Sequence, residues 1–420
     1  MLFRSRRYLS IFGLFTLQRT VYGSRAGQKI AFVPLDNRLQ LPPSDFSYVL
    51  QDWDQGLCVE QAFGQAQSTI ARILNLQQSV DSLEHMNVDM AAQVQEFREN
   101  RPRPDPATEG PILVTGGDGK GIVMRRAADD PAPAAHRRKG QKASQKRMAT
   151  VGTVYSIDRY VRTPEEVLAT LFRDGPKPPP RPVPCHKRVW ASLPQEDAGG
   201  NVRSSLDIVY DWMLNEVAER NRGLAKEMVH LGDGQEALWQ ARAAHLPHYH
   251  MTDILDVLHV TPRLWQAAHV FYPEGSAAAE AFARERILRV LRGEVVGVVQ
   301  GLRRMGTQWG VVGAKKKTLR QVCAYLSKNR ERMRYAEYLA KGYPIASGVI
   351  EGACRHLVKD RMERAGMHWT PTRAQAMLDV RSTYVNGDWD EYQRYRIERE
   401  TRRLYPHRHL VEGTNYDLPA

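Results

Sequence analysis

Residues 111–121 read Pro-Ile-Leu-Val-Thr-Gly-Gly-Asp-Gly-Lys-Gly, an apolar run closing on glycines around one carboxylate, Asp118. Residues 227–235, Glu-Met-Val-His-Leu-Gly-Asp-Gly-Gln, repeat the plan around Asp233, and 251–256, Met-Thr-Asp-Ile-Leu-Asp, end on Asp256. Short apolar runs bounded by Gly and Asp predict strands. The Asp118-Gly and Asp233-Gly pairs predict turns at the strand ends. The first strand is expected to resume at Ile122-Val-Met124.

Working outward, the β-branched alternation of 148–157 predicts a strand, and Val189 to Leu193 a shorter one. Thr163-Pro-Glu-Glu166 opens a helix, with Thr as N-cap, Pro in the first turn and Glu three residues on. An amphipathic helix is expected over Asp207 to Asn221. Residues 261–341 read as helical throughout, with a basic break at Gly313-Ala-Lys-Lys-Lys317, and Val349 starts a closing helix that runs to about Ala365. The order predicts an α/β fold with a mixed sheet, interrupted by a long all-helical segment before the closing helix.

Upstream, residues 1–45 read as short strands, although Arg4 to Leu17 has the outline of a signal peptide. Apolar residues recur at helical spacing from Leu57 to Phe97, with Ser68 and Ser79 heading short stretches that suit either a helix-turn-helix or a plain bundle. A proline-rich linker spans 98–110. The expected organisation is a DNA-binding region with its linker over 1–110, a catalytic core over 111–260 and 343–385, a helical insertion over 261–342, and a tail over 386–420.

The chain has 420 residues, with 60 Lys and Arg against 47 Asp and Glu, a formal charge of +13. That surplus implies a polyanionic partner. No apolar run approaches the roughly 18 residues of a membrane span. Four scattered cysteines exclude a disulfide scaffold and a cysteine zinc ribbon, and the chain reads as cytoplasmic. His245, His248 and His250 lie where strand alternation splits them between faces, which argues against a zinc set.

Asp118, Asp233 and Glu351 converge if the strands are neighbours and the closing helix crosses their ends. Carboxylates are the donors that hard Mg²⁺ prefers, and two such ions (or Mn²⁺) suit phosphodiester chemistry. Taken singly, the aspartates are ordinary turn residues and Glu351 an ordinary N-terminal helix glutamate. Asp256 and His259 form Asp-x-x-His at a helix start and read as supports beside the site, or as an alternative acid. Lys120, Arg125, Arg137, Arg138, Lys139, Arg355, Lys359 and Arg361 are candidate phosphate contacts.

Together, Asp118-Gly-Lys-Gly, the strand from Met148, Arg162-Thr-Pro-Glu-Glu166, Gly232-Asp-Gly234, Ile254 to Val260, Tyr343-Pro-Ile-Ala-Ser-Gly-Val-Ile-Glu-Gly-Ala-Cys354, Val358 to Met362 and Asn386-Gly-Asp-Trp-Asp390 resemble the Kra-type insertion-sequence transposases, a bacterial DDE group allied to Mutator-like elements. The resemblance implies a ribonuclease-H-like fold with a helical insertion. It also implies Asp118, Asp233 and Glu351 as the catalytic, metal-binding acids, with Asp256 matching either the Asp-x-x-His signature or the second aspartate. Its partners would be double-stranded DNA ends and target, bound by a homo-oligomer in the bacterial nucleoid. The chain departs from related transposases in lacking cysteine pairs near Tyr22 to Gln28. A decayed or domesticated DNA-binding protein, or a host nuclease such as a resolvase, is the competing expectation.

Overall fold

A computed structural model describes residues 2–23, 32–125, 146–175, 179–197, 199–223, 226–247, 249–364 and 366–406. The chain forms two compact units.

The first unit holds residues 1–101, 123–145 and 359–420. It begins with an antiparallel hairpin, β1 (Leu2–Ser10) and β2 (Gly13–Val21). Short helices follow at Pro34–Leu39, Tyr48–Cys58, Phe63–Leu74, Val80–Ala91 and Val94–Asn100. Helix Pro371–Val385 packs along Val80–Ala91, and the ring of Tyr392 in helix Trp389–Leu404 meets that of Phe97 at a tilt, centroids 5.2 Å apart. Ser79 caps its helix by accepting from the Ser82 amide. Ser68 instead sits inside a helix and donates back to the Gly64 carbonyl, so it marks no helix start.

The second unit holds residues 102–122 and 146–358. Its strands are β3 (Ile112–Val123, whose last residue belongs to the first unit), β4 (Lys146–Ile157), β5 (Cys185–Ser192), β6 (Gln195–Glu196), β7 (Val202–Arg203), β8 (Glu227–Gly232) and β9 (Met251–Leu255). Five of them form one sheet in the order β5-β4-β3-β8-β9. β4 and β5 run antiparallel, whereas β3, β8 and β9 run parallel. This mixed sheet among helices is compatible with a ribonuclease-H-like fold.

Each sheet face carries its own core. Leu113, Met228 and Val154 pack beneath helix Ser205–Arg220 through Val209, Tyr210 and Met213. Ile112, Val114, Val229, Leu231 and Ile254 face the other way, into a core shared with helices between Val257 and Ala340. Burial on both faces explains the near-continuous apolar runs in the parallel strands.

Two further expectations fail locally. β3 does not turn at Asp118-Gly; it runs unbroken through it. None of Gly116, Gly117, Gly119 and Gly121 takes a positive φ. The glycines answer crowding: a Cβ on Gly117 would stand 2.9 Å from the Tyr210 hydroxyl, and one on Gly121 3.1 Å from the Lys146 side chain. Nor do Lys315 to Lys317 break the helices, because they lie in the first turns of helix Gly313–Lys328. The interruption falls just before, between Gln308 and Gly313.

The closing helix starts at Gly348–Ala353, passes into a π-helical turn at Cys354–Lys359 and ends at Asp360–Met362. The wider π turn shifts the burial period to four residues. Ala353, Leu357 and Arg361 are buried, while Glu351, Arg355 and Lys359 are exposed.

Candidate active site

The sheet register builds the site. β3 and β8 pair from Ile112 with Glu227 to Gly116 with Leu231, an offset of 115 residues. β8 and β9 pair from Met228 with Met251 to Gly232 with Leu255, an offset of 23. Continuing both offsets sets Asp118 opposite Asp233 and Asp233 opposite Asp256, since 118 + 115 = 233 and 233 + 23 = 256. Asp233 and Asp256 thus directly follow the last residues of β8 and β9, while Asp118 lies inside β3, two residues beyond its last pair with β8. The Asp256 amide still donates to the Gly232 carbonyl at 2.9 Å, so the backbone ties the two strand ends there.

Strand alternation gives Asp118 the face of Gly116. A Cβ on Gly116 would meet Ile350 of the closing helix at 3.7 Å, so that helix covers this face.

Asp256 holds the helix starts. It is fully buried. Its Oδ1 accepts from the Leu258 amide at 2.7 Å, capping helix Val257–Phe271. Its Oδ2 accepts from the Ser347 amide at 3.0 Å and from the Ser347 hydroxyl, just ahead of the closing helix. One carboxylate therefore fixes both helix entries.

Glu351 stands one turn further on. Its Oε1 lies 3.8 Å from His259 Nε2, and its side chain is 49% exposed. Partial burial first, then the Asp256 charge and more weakly that of Asp118, hold its carboxyl above the usual range, against the lowering influence of His259. Asp256, His259 and Glu351 offer ligand atoms within 4.8 Å of one another.

Asp118 is oriented from two sides. Oδ1 accepts from the Gly119 amide at 2.6 Å, and Oδ2 from the Cys354 thiol at 3.2 Å. Burial and the Asp118 charge push that thiol well up. The Asp233 carboxylate folds into its own turn. Oδ1 and Oδ2 accept from the Gln235 amide and side chain, both at 2.8 Å. Gly234, at φ 95°, makes that turn, and Tyr325 donates to the Asp233 carbonyl at 3.0 Å.

The ligand atoms brought together among the described residues are those of two carboxylates and one imidazole, Asp256, Glu351 and His259; Asp118 and Asp233 are not part of that group. Hard oxygen donors of this kind fit Mg²⁺ or Mn²⁺. Burial and, after it, the charges of Asp256 and Asp118 disfavour the ionised Glu351, and a divalent cation would favour it. Ser347, Cys354 and Tyr325 are partners that sequence reading did not single out. Only Ser347, next to Gly348 at a helix start, carried a local signal.

The basic residues divide. Arg125 and Lys359 are exposed in the first unit, Arg355 is exposed in the second, and Lys120 there is half-buried. Arg361 is no phosphate contact: it is fully buried, its Nε donates to the Cys58 carbonyl at 2.6 Å, and its guanidinium lies 5.0 Å from the Phe63 and Trp369 ring centres. Arg137, Arg138 and Lys139 fall outside the described residues, as does His248. His245 bonds to Asp211 at 2.7 Å and Asp207 at 3.1 Å.

No protein-family model and no curated protein matches the chain. A solved structure described as the Drosophila P element transposase strand transfer complex is similar over 93% of this chain and 87% of that chain, at 10% identity and a TM-score of 0.27. No helix among the described residues is long and apolar enough to cross a membrane.

Proposed function

We propose that the protein is a DNA transposase of the DDE type, of the Kra-like kind its motifs resemble, that cuts phosphodiesters at element ends and joins the freed 3′-hydroxyl to target DNA. The observation that supports this reading is the placement of Asp118 within β3 and of Asp233 and Asp256 just after β8 and β9, at spacings that continue the strand offsets, with Glu351 on the helix that covers the Gly116 face of β3. Asp118, Asp233 and Glu351 are the catalytic acids. They would hold two Mg²⁺ or Mn²⁺ ions, which supply an activated water or 3′-hydroxyl and charge for the leaving oxygen.

Asp256 is a positioning residue rather than the second catalytic aspartate. Its oxygens already accept three hydrogen bonds in a fully buried setting. Asp233 is the second acid, because its carboxylate bonds Gln235, an exposed turn residue that is easily exchanged. Gly119 and Cys354 keep Asp118 aimed, and His259 faces Glu351.

Residues 1–110 serve DNA recognition, and Lys120, Arg125, Arg355 and Lys359 contact phosphates, which makes binding strongly salt-dependent. The active form is a homo-oligomer on two DNA ends in the bacterial nucleoid.

The test uses duplexes taken from inverted repeats flanking the gene. Asp118→Asn and Glu351→Gln should abolish cleavage in Mg²⁺ and keep duplex binding. Full cleavage by either variant would sink the assignment. Cutting of branched DNA without strand joining would favour a resolvase, and binding without cutting by the wild type a domesticated protein.

A further inference from the structure

The first unit opens with a hairpin whose two faces differ. Opposed residues of an antiparallel pair share a face. On one face, Arg4 opposes Arg19, Arg6 opposes Leu17 and Tyr8 opposes Phe15. Arg6 and Arg19 both reach Asp36 of helix Pro34–Leu39, and Arg6 also donates to the Pro42 and Ser44 carbonyls, so these two side chains anchor this face, although Arg4 and Phe15 on it are exposed. On the other, Phe3 opposes Thr20, Ser5 opposes Gln18 and Arg7 opposes Thr16. Phe3, Ser5, Arg7, Thr16 and Gln18 are all exposed.

The charge is one-sided. No Asp or Glu precedes Asp36, while Arg4, Arg6, Arg7, Arg19, Arg25 and Lys29 do. The first acid is taken by Arg6 and Arg19, which leaves exposed Arg4 and Arg7 without an acidic partner among the hairpin residues. A polyanion complements such a surface.

The shape fits as well. Each strand has nine residues, so the ribbon runs about 30 Å. The DNA major groove, about 12 Å wide, admits a two-stranded ribbon. Arg pairs with guanine edges, Gln with adenine edges, and Ser or Thr with either. Arg7, Gln18, Ser5 and Thr16 place all of these types in two adjacent cross-strand rows.

We propose that the β1–β2 hairpin lays its Ser5/Gln18 and Arg7/Thr16 face into the major groove of double-stranded DNA and reads base sequence there. This rests on the DNA-binding part of the reading above, assigns base reading within residues 1–110 to the hairpin, and is independent of Asp118, Asp233 and Glu351.

The test selects duplexes from a randomised 20-base-pair library with the full chain and with Arg7→Ala and Gln18→Ala. Both side chains are exposed, and unchanged far-ultraviolet circular dichroism and thermal midpoint confirm the fold. The wild type should enrich one motif. Each variant should bind that motif roughly tenfold more weakly and lose preference at one or two positions, and Arg7→Ala with Arg4→Ala should leave weaker binding at every salt concentration. A wild-type motif enriched unchanged by both variants overturns the hairpin assignment and leaves the transposase reading standing. A wild type that enriches no duplex, or that binds phosphatidylglycerol vesicles instead, overturns both.

Discussion

Asp256 and Glu351 sit within a few ångströms of each other and live in opposite conditions. Asp256 is buried, and backbone amides and a hydroxyl saturate it. Glu351 is half exposed, faces two other acids and has one imidazole in reach. The first is a tie between elements. The second is a group whose charge the fold leaves uncompensated, which is the condition in which a cation is useful. Proximity to a site therefore does not sort structural acids from functional ones; satisfaction does.

The most direct way to break this contrast is to exchange the outcomes. Glu351→Gln should cost cleavage at least about a hundredfold, as expected when an acid that holds the metals is neutralised, and should leave chemical denaturation almost unchanged. Asp256→Ala should do the reverse in stability, losing about 3 kcal/mol because the Ser347 and Leu258 amides lose a buried acceptor and a helix loses its cap. Urea midpoints for both variants check this, and a stable Asp256→Ala protein would undo the contrast.

The pH dependence sharpens it. Glu351 has its folded pKa raised above the ordinary carboxylate value, so the folded state binds that proton more tightly than the unfolded one. Its contribution to stability is therefore largest at low pH and is lost as pH rises from the ordinary carboxylate range through the raised value. Mg²⁺ competes with the same proton, so the cation-induced rise in thermal midpoint should grow with pH over that window. Glu351→Gln should flatten both trends. Melting curves with and without Mg²⁺ between pH 4 and 8 give the comparison, and an unchanged Mg²⁺ trend in the variant would count against the site.

The smallest effect concerns Cys354. Cys354→Ala removes the Asp118 Oδ2 donor and should raise the Mg²⁺ needed for half-maximal cleavage roughly threefold, a cost on the scale of one hydrogen bond. Cys354→Ser keeps a donor and should restore it. Equal behaviour of the two variants would assign the residue to packing alone.

Much of this was legible in the sequence, and the misses have physical causes. The apolar runs ending in Asp marked β8 and β9 because strands buried on both faces must be apolar. Thr163 to Glu166 announced its helix because caps are local chemistry, and the reciprocal capping bonds are present. The Asp118 segment was misread because glycine serves turns and close packing alike, and only Tyr210 and Lys146, distant in sequence, decide between them. Arg361 sits among the bases His356 and Lys359 and so reads as part of a basic surface, but the rings of Phe63 and Trp369 and the Cys58 carbonyl, which the local segment does not reveal, take up its guanidinium. The spacings 115 and 23 were visible, but their meaning depends on register, which no single segment encodes.

In the proposed site Asp118, Asp233 and Glu351 hold the cations while Asp256 and His259 support them. Mn²⁺ titration of the full chain on duplex DNA, read by calorimetry, tests this assignment most directly. Two ions should bind the wild type and His259→Ala, and at least one should be lost in Asp118→Asn and in Glu351→Gln. Two ions bound to Asp118→Asn with unchanged affinity, or a site lost only in His259→Ala, would contradict it.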